Sequence, residues 1–520
     1  MKHIKYLLLS TVVLGFTACN DVEDVLDANG VLVETTAPTT LSAGGLDLSN
    51  YVAIGPSFTA GYSDGAVFKA SQENSYPNIL SKQFAKIGGG TFTQPLVSDN
   101  VGGLLLGGTQ IAEPRLFFNG AGPERLGATP TTETGIILTG PFNNMGVPGA
   151  KSFHLLAPGY GNLAGVPLGL ANPYFARMAT SSNATILEDA LVQNPSFFTL
   201  SLMGGNDVLS YALSGGTGVD QTGNPDFASY GGNDITDPAA FGQIFGLMVS
   251  QLTANGAKGV VTNVPDVTKV PFFTTVPHNP VPLDAATAGA LNSAAAYGAY
   301  NAGLDATLAF LTANPAQLGF FFPPQTDLTS LELAEAEIAK RKINFTAGEG
   351  NALVIMDEYL TDLTAINPAL VSLRQATSDD LILLTASTLI PLGTGTAVPM
   401  GDELVLTPQE ITNIQTATNA YNISIETVRS AAELGMVDMK TILEQASSSG
   451  WGEGDFVLTS NLVTGGAFGL DGVHMTARGY AALANCYLRA ADKAYGSNFE
   501  TSENLVDLGT YPTNYSPMLQ

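Results

Sequence analysis

Short runs of strand-forming residues punctuate this chain, separated by stretches with helical spacing. Tyr51 to Ile54, Phe197 to Met203, Gly259 to Val264 and Ala352 to Met356 are mostly apolar or β-branched, with no alternating polar face. Runs of this kind fit strands covered on both sides, as in a parallel sheet between two layers of helices. Thr407-Pro408-Gln409-Glu410 predicts a helix start, with threonine as cap, proline in the first turn and glutamate completing a capping box. Ile411, Ile414, Tyr421, Ile425 and Val428 follow at helical spacing, and Gly435 is the expected stop. A last helix is predicted from Thr476, with Tyr480, Leu483, Tyr487 and Ala491 on one face. The pattern predicts an α/β fold: a three-layer α/β/α sandwich around a central, mostly parallel sheet, with long insertions. No internal repeat is evident.

Composition narrows the class. The 520 residues are 45% hydrophobic and 13% charged, enough for a large core. A net charge of −26 argues against nucleic acid as a partner and against attraction to anionic lipid headgroups. Residues 1–18 read as an export signal, with Lys2 and Lys5, the apolar Tyr6 to Phe16, and the small pair Thr17-Ala18. Phe16-Thr17-Ala18-Cys19 resembles a bacterial lipobox, although leucine is commoner where Phe16 stands. That resemblance implies a lipidated Cys19, membrane contact only through the lipid, and location at the outer membrane or cell surface of a Gram-negative bacterium. Asp21, Glu23 and Asp24 resemble surface-export signals of such lipoproteins. Residues 19–49, which include Thr35-Thr36-Ala37-Pro38-Thr39-Thr40, read as a flexible tether reaching about 30 Å. With Cys19 lipidated, Cys486 has no partner, and it is expected to be a small buried hydrophobe rather than half of a disulfide.

Four short stretches carry the candidate chemistry. In Tyr51-Val52-Ala53-Ile54-Gly55-Pro56-Ser57-Phe58-Thr59, a strand leads into a small hydroxyl residue, placing Ser57 at the carboxyl edge of a sheet. A serine hydroxyl needs a base in hydrogen-bond reach and a third group to orient that base, and Asp471-Gly472-Val473-His474 offers both. Met203-Gly204-Gly205-Asn206-Asp207 follows another predicted strand, so Asn206 is a candidate amide donor to an oxyanion. In Asn144-Met145-Gly146-Val147-Pro148-Gly149-Ala150, glycine lets the backbone N–H of Gly149 approach a ligand. Of the other histidines, His3 lies in the signal, and His154 and His278 are expected to be structural. They are scattered and no carboxylate cluster has ligand spacing, so no metal or cofactor is expected.

In order, these four stretches resemble the blocks of the SGNH (GDSL-like) hydrolase family. The resemblance implies Ser57 as nucleophile, His474 as general base, Asp471 as its orienting acid, and the Ser57 N–H, Gly149 N–H and Asn206 amide as the oxyanion hole. Val261 to Asp266 resembles the strand and turn after the third block, and Gly435-Met436-Val437-Asp438 resembles the last strand before the histidine block. Pro56 departs from the pattern, because the family usually has aspartate or asparagine there. An α/β-hydrolase elbow fits less well, since Thr59 stands where its second glycine belongs. The expected domain spans residues 50–500, with insertions at about 64–143 and 278–435 and a C-terminal tail at 501–520. The function expected is hydrolysis of carboxylic esters of a lipid or an acylated glycan. The alternative is a surface glycan- or lipid-binding lipoprotein on a decayed hydrolase scaffold.

Overall fold

A computed structural model describes residues 39–520. The predicted signal, Cys19, Asp21, Glu23, Asp24 and most of the tether lie outside the described residues. The protein is a mixed α/β structure around one five-stranded, wholly parallel sheet. Its strands are β1 (Tyr51–Gly55), β2 (Asn144–Gly146), β3 (Phe197–Leu200), β4 (Lys258–Thr262) and β5 (Gly435–Val437). Their spatial order is 2-1-3-4-5, one of the common doubly wound orders. From β1 the chain passes to β2 on one side and then crosses to β3 on the other, so a crevice opens at the carboxyl ends of β1 and β3.

The helices that cover this sheet pack as two groups, as right-handed crossovers between parallel strands require. On one face lie α2 (Tyr76–Phe84) and α7 (Ala477–Tyr495), joined by the stacked rings of Tyr76 and Tyr487 at 4.7 Å. Tyr51 and Phe197 reach the same layer, where each packs edge-on against Phe84. The other face holds α4 (Pro238–Thr253) and α5 (Pro408–Ala431), with Phe241 against Tyr421 at 4.4 Å. Tyr421 Oη donates to the Thr236 carbonyl at 2.5 Å, so the buried phenol keeps a partner. The core runs unbroken through Val52, Ile54, Phe198, Leu200, Val260 and Val261, all fully buried.

Several expectations are corrected by packing. Val354–Met356 forms a strand but not in the parallel sheet; it pairs antiparallel with Leu373–Gln375. That ribbon belongs to a second apolar cluster including Leu304, Leu311, Ile338 and Leu363. The helices Tyr297–Ala313 and Ser330–Arg341 build this cluster within the second long stretch. The last helix of that stretch, α5, belongs to the sandwich itself. Its Thr407/Glu410 capping box forms, but it ends at Ala431; Glu433 takes the left-handed turn at φ 54° and Gly435 opens β5. Residues from Leu41 onward in the predicted tether pack on the domain, because Leu46 and Leu48 find apolar cover and Gly45 N–H donates to Tyr495. The C-terminal residues are likewise docked: Arg115, fully buried, donates to the carbonyls of Ser516 and Leu519. Cys486 is a free thiol in α7, and burial pushes it up to about 12. Among the described residues, no helix is long and apolar enough to cross a membrane.

Candidate active site

Gly55 ends β1 because nothing larger fits: a Cβ there would lie 2.7 Å from the Ser201 carbonyl oxygen. Pro56 then stands at the N-cap of the one-turn helix α1 (Ser57–Ala60), its carbonyl accepting from the N–H groups of Thr59 and Ala60. Proline is tolerated there because its missing N–H lies outside the helix. Ser57 follows at the carboxyl edge of the sheet, with 6% of its surface exposed.

The other end of the chain meets it. His474 Nε2 is 2.8 Å from Ser57 Oγ, and His474 Nδ1 is 2.9 Å from Asp471 Oδ2. The loop that carries both is fixed before α7 begins, where Thr476 Oγ1 caps the helix by accepting from Gly479. Three backbone N–H groups also donate to Asp471: Gly65 to Oδ2 at 2.8 Å, and Val473 and His474 to Oδ1 at 2.9 Å each. Burial pushes the Asp471 carboxyl up, but the His474 ring and the Val473 and His474 N–H groups outweigh it and leave it below the usual carboxylate value. The imidazole is packed by Tyr62 at 4.4 Å and Phe58 at 5.5 Å between ring centres.

The two remaining stretches converge on the same edge. After β3, Leu202 takes φ 48° and Gly204 φ 93°, turning the chain into α3 (Gly205–Leu213). A Cβ at Gly204 would sit 3.0 to 3.1 Å from Phe241, Tyr421 and Val264, so the position needs glycine for space and conformation alike. Asn206, in the first turn, donates through Nδ2 to the Ala150 carbonyl at 2.9 Å. An amide nitrogen carries two hydrogens, so a second N–H is left for a ligand. The loop after β2 is bound back at both ends: Val147 N–H donates to the Gly55 carbonyl, and Asn172 Nδ2 to the Pro148 carbonyl at 2.7 Å. Gly149 adopts φ 78° with nothing closer than 4.0 Å to its missing Cβ, so conformation and not space demands glycine.

Asp207, the residue after Asn206, has a role that no local sequence pattern marks. Its buried carboxylate accepts from Ser152 N–H at 2.9 Å and Ser152 Oγ at 2.6 Å, tying the Gly149 loop to α3. Asp64 was also missed. It is 2% exposed at φ 51°, accepts from Leu470 N–H, and braces the histidine loop. Burial pushes it up to about 7 against the pull of that N–H, and the charge of Asp471 adds to the rise. No local pattern marks Asp64, since its partners are some 400 positions away in the chain. His154 is structural: Nδ1 accepts from Lys151 N–H, its ring stacks on Tyr160 at 4.3 Å, and burial lowers it to about 4.

Beside Ser57 opens a narrow, almost wholly apolar cavity whose wall includes Phe58, Leu202, Asn206, Val473 and Trp451. The donor set around Ser57 is one imidazole and one carboxylate already held by N–H groups, which suits a proton relay rather than a metal centre. The carboxylates of Glu358, Asp402 and Glu410 converge elsewhere, within 4.8 Å of one another. Comparison with models of known families, with curated proteins and with solved structures finds no match.

Proposed function

We propose that this protein is a serine-dependent carboxylic ester hydrolase of the SGNH type. One observation carries the reading: the Asp471–His474–Ser57 relay, with spacings of 2.9 and 2.8 Å, at the carboxyl edge of a parallel sheet and at the mouth of an apolar cavity. The 2-1-3-4-5 strand order and the convergence of all four sequence blocks support it.

In the reaction, Ser57 Oγ attacks the ester carbonyl carbon while His474 Nε2 takes its proton. The carbonyl electrons move to oxygen, and the oxyanion is met by the Ser57 N–H, the Gly149 N–H and the free N–H of Asn206. Collapse breaks the bond to the alcohol, which leaves with the proton from His474. Water then attacks the acyl-Ser57 ester with His474 again as base, releasing the acid and restoring the hydroxyl. Asp471 holds the imidazole with Nδ1–H toward itself and stabilises the imidazolium formed in each half-reaction. The test is hydrolysis of p-nitrophenyl esters by the wild-type protein, Ser57→Ala and His474→Ala. Both substitutions are expected to lower kcat by about 10³-fold or more. Equal rates in all three proteins would refute the reading.

A further inference from the structure

The apolar cavity crosses the carboxyl edge of the sheet from β1 toward β5. From Ser57 its wall passes Leu202 and Leu209 behind β3, then Val267 and Val270 behind β4, then Leu443 and Ala446 on α6 (Met439–Ala446), the helix after β5. Ser57 and Asn206 are the only hydrophilic side chains on that wall, the Trp451 indole aside, and both belong to the candidate site. A polar ligand would find no hydrogen-bond partner in the remainder.

We infer that this cavity is a channel for the acyl chain of the substrate, and that the substrate is an ester of an unbranched aliphatic acid of about ten to twelve carbons. The inference rests on the hydrolase reading and names its substrate class. Three strand spacings separate β1 from β5, about 14 Å, which is the extended length of about eleven carbons at ordinary bond lengths and angles. A wall of aliphatic and aromatic side chains along that path suits one polymethylene chain. An acetyl group would leave most of it empty, and a sugar would lose its hydrogen bonds there. The alcohol portion therefore faces outward, and acyl length is read inside.

Trp451 supplies the test, being the only tryptophan of the chain and part of the channel wall. Its fluorescence is titrated in the Ser57→Ala protein with sodium acetate, butyrate, octanoate, decanoate, dodecanoate and hexadecanoate. In parallel, the wild-type protein is assayed on the matching p-nitrophenyl esters. Affinity is expected to rise about three- to fourfold per added methylene up to ten to twelve carbons and then level off. The turnover profile should peak at the same lengths and move to shorter esters in Ala446→Phe. A chain-length-dependent titration without Ser57-dependent turnover would uphold the channel and remove the hydrolase reading. Ser57-dependent turnover that is greatest on acetate, with a titration indifferent to chain length, would overturn the channel and leave the hydrolase reading standing. Should Ala446→Phe fail to fold, the Ser57→Ala titration still decides.

Discussion

In the proposed reaction, Asn206 is the side chain that separates binding from chemistry. Its Nδ2 is held by the Ala150 carbonyl, which leaves the second N–H for the oxyanion of the proposed reaction. A preorganised donor acts on charge that develops only in the transition state. Asn206→Ala is therefore expected to lower kcat about 10²- to 10³-fold with little change in KM, measured on a single p-nitrophenyl ester. A change confined to KM would mean that Asn206 contacts the ground state instead. The meeting of Ser57, His474 and Asp471, with Asn206 beside Ser57 on the cavity wall, was legible in the sequence, because each sits in a local pattern whose chemistry can be argued, such as strand then hydroxyl or Asp-x-x-His. Tyr62, Gly65 and Asp64 were not, because they meet the site only through folding of distant segments. Gly65 donates to a carboxylate 406 positions away.

At the scale of elements, the site is a junction of strand ends. Gly55, Leu202 and Gly204 turn the chain at the ends of β1 and β3, and the loop after β2 lies across both. The Asp207 carboxylate joins α3 to that loop through Ser152. Asp207→Asn keeps the shape but replaces one acceptor oxygen by a donor facing a donor. The variant is expected to lose about 1–3 kcal/mol of stability and to lower kcat roughly tenfold, as the loop carrying the proposed Gly149 donor drifts. Denaturant unfolding and steady-state kinetics on one preparation check this; a stability loss with unchanged kcat would mean that the bridge supports only the fold. The sequence located β1, β3, β4 and α7 well, since their runs are uninterrupted. It misassigned the Ala352 to Met356 run, because an apolar run does not say which sheet it joins. The antiparallel partner Leu373–Gln375 and the second apolar cluster decide that.

The whole molecule carries a pH dependence that its buried carboxyls set. Burial pushes Glu410 up to about 8 against the Thr407 donors of its capping box, with the charges of Asp402 and Glu358 adding to the rise. The folded protein therefore keeps this proton after the unfolded chain has lost it. Its contribution to stability is full below about pH 4.5 and is lost as the pH climbs through 8. Asp402, raised to about 7, and Asp64, also about 7, act in the same sense. Glu410→Gln keeps a capping-box side chain without the titrating proton, so thermal unfolding at pH 8.5 should rise on the order of 1–3 °C relative to wild type, with a smaller gain at pH 5. An unchanged pH slope would contradict this assignment. Composition pointed to a large core, and residues 41–520 form one compact unit. Composition did not foretell that residues 41–49 and 501–520 dock, because single residues such as Leu46, Leu48 and Tyr515 do that work without periodicity. The central claim is that Ser57 is an activated nucleophile. Its most direct measurement is mass spectrometry of peptides after incubation with an alkyl fluorophosphonate. The account predicts one phosphonylated residue, Ser57, in the wild-type protein and none in His474→Ala. An unmodified Ser57, or modification that persists without His474, would contradict it.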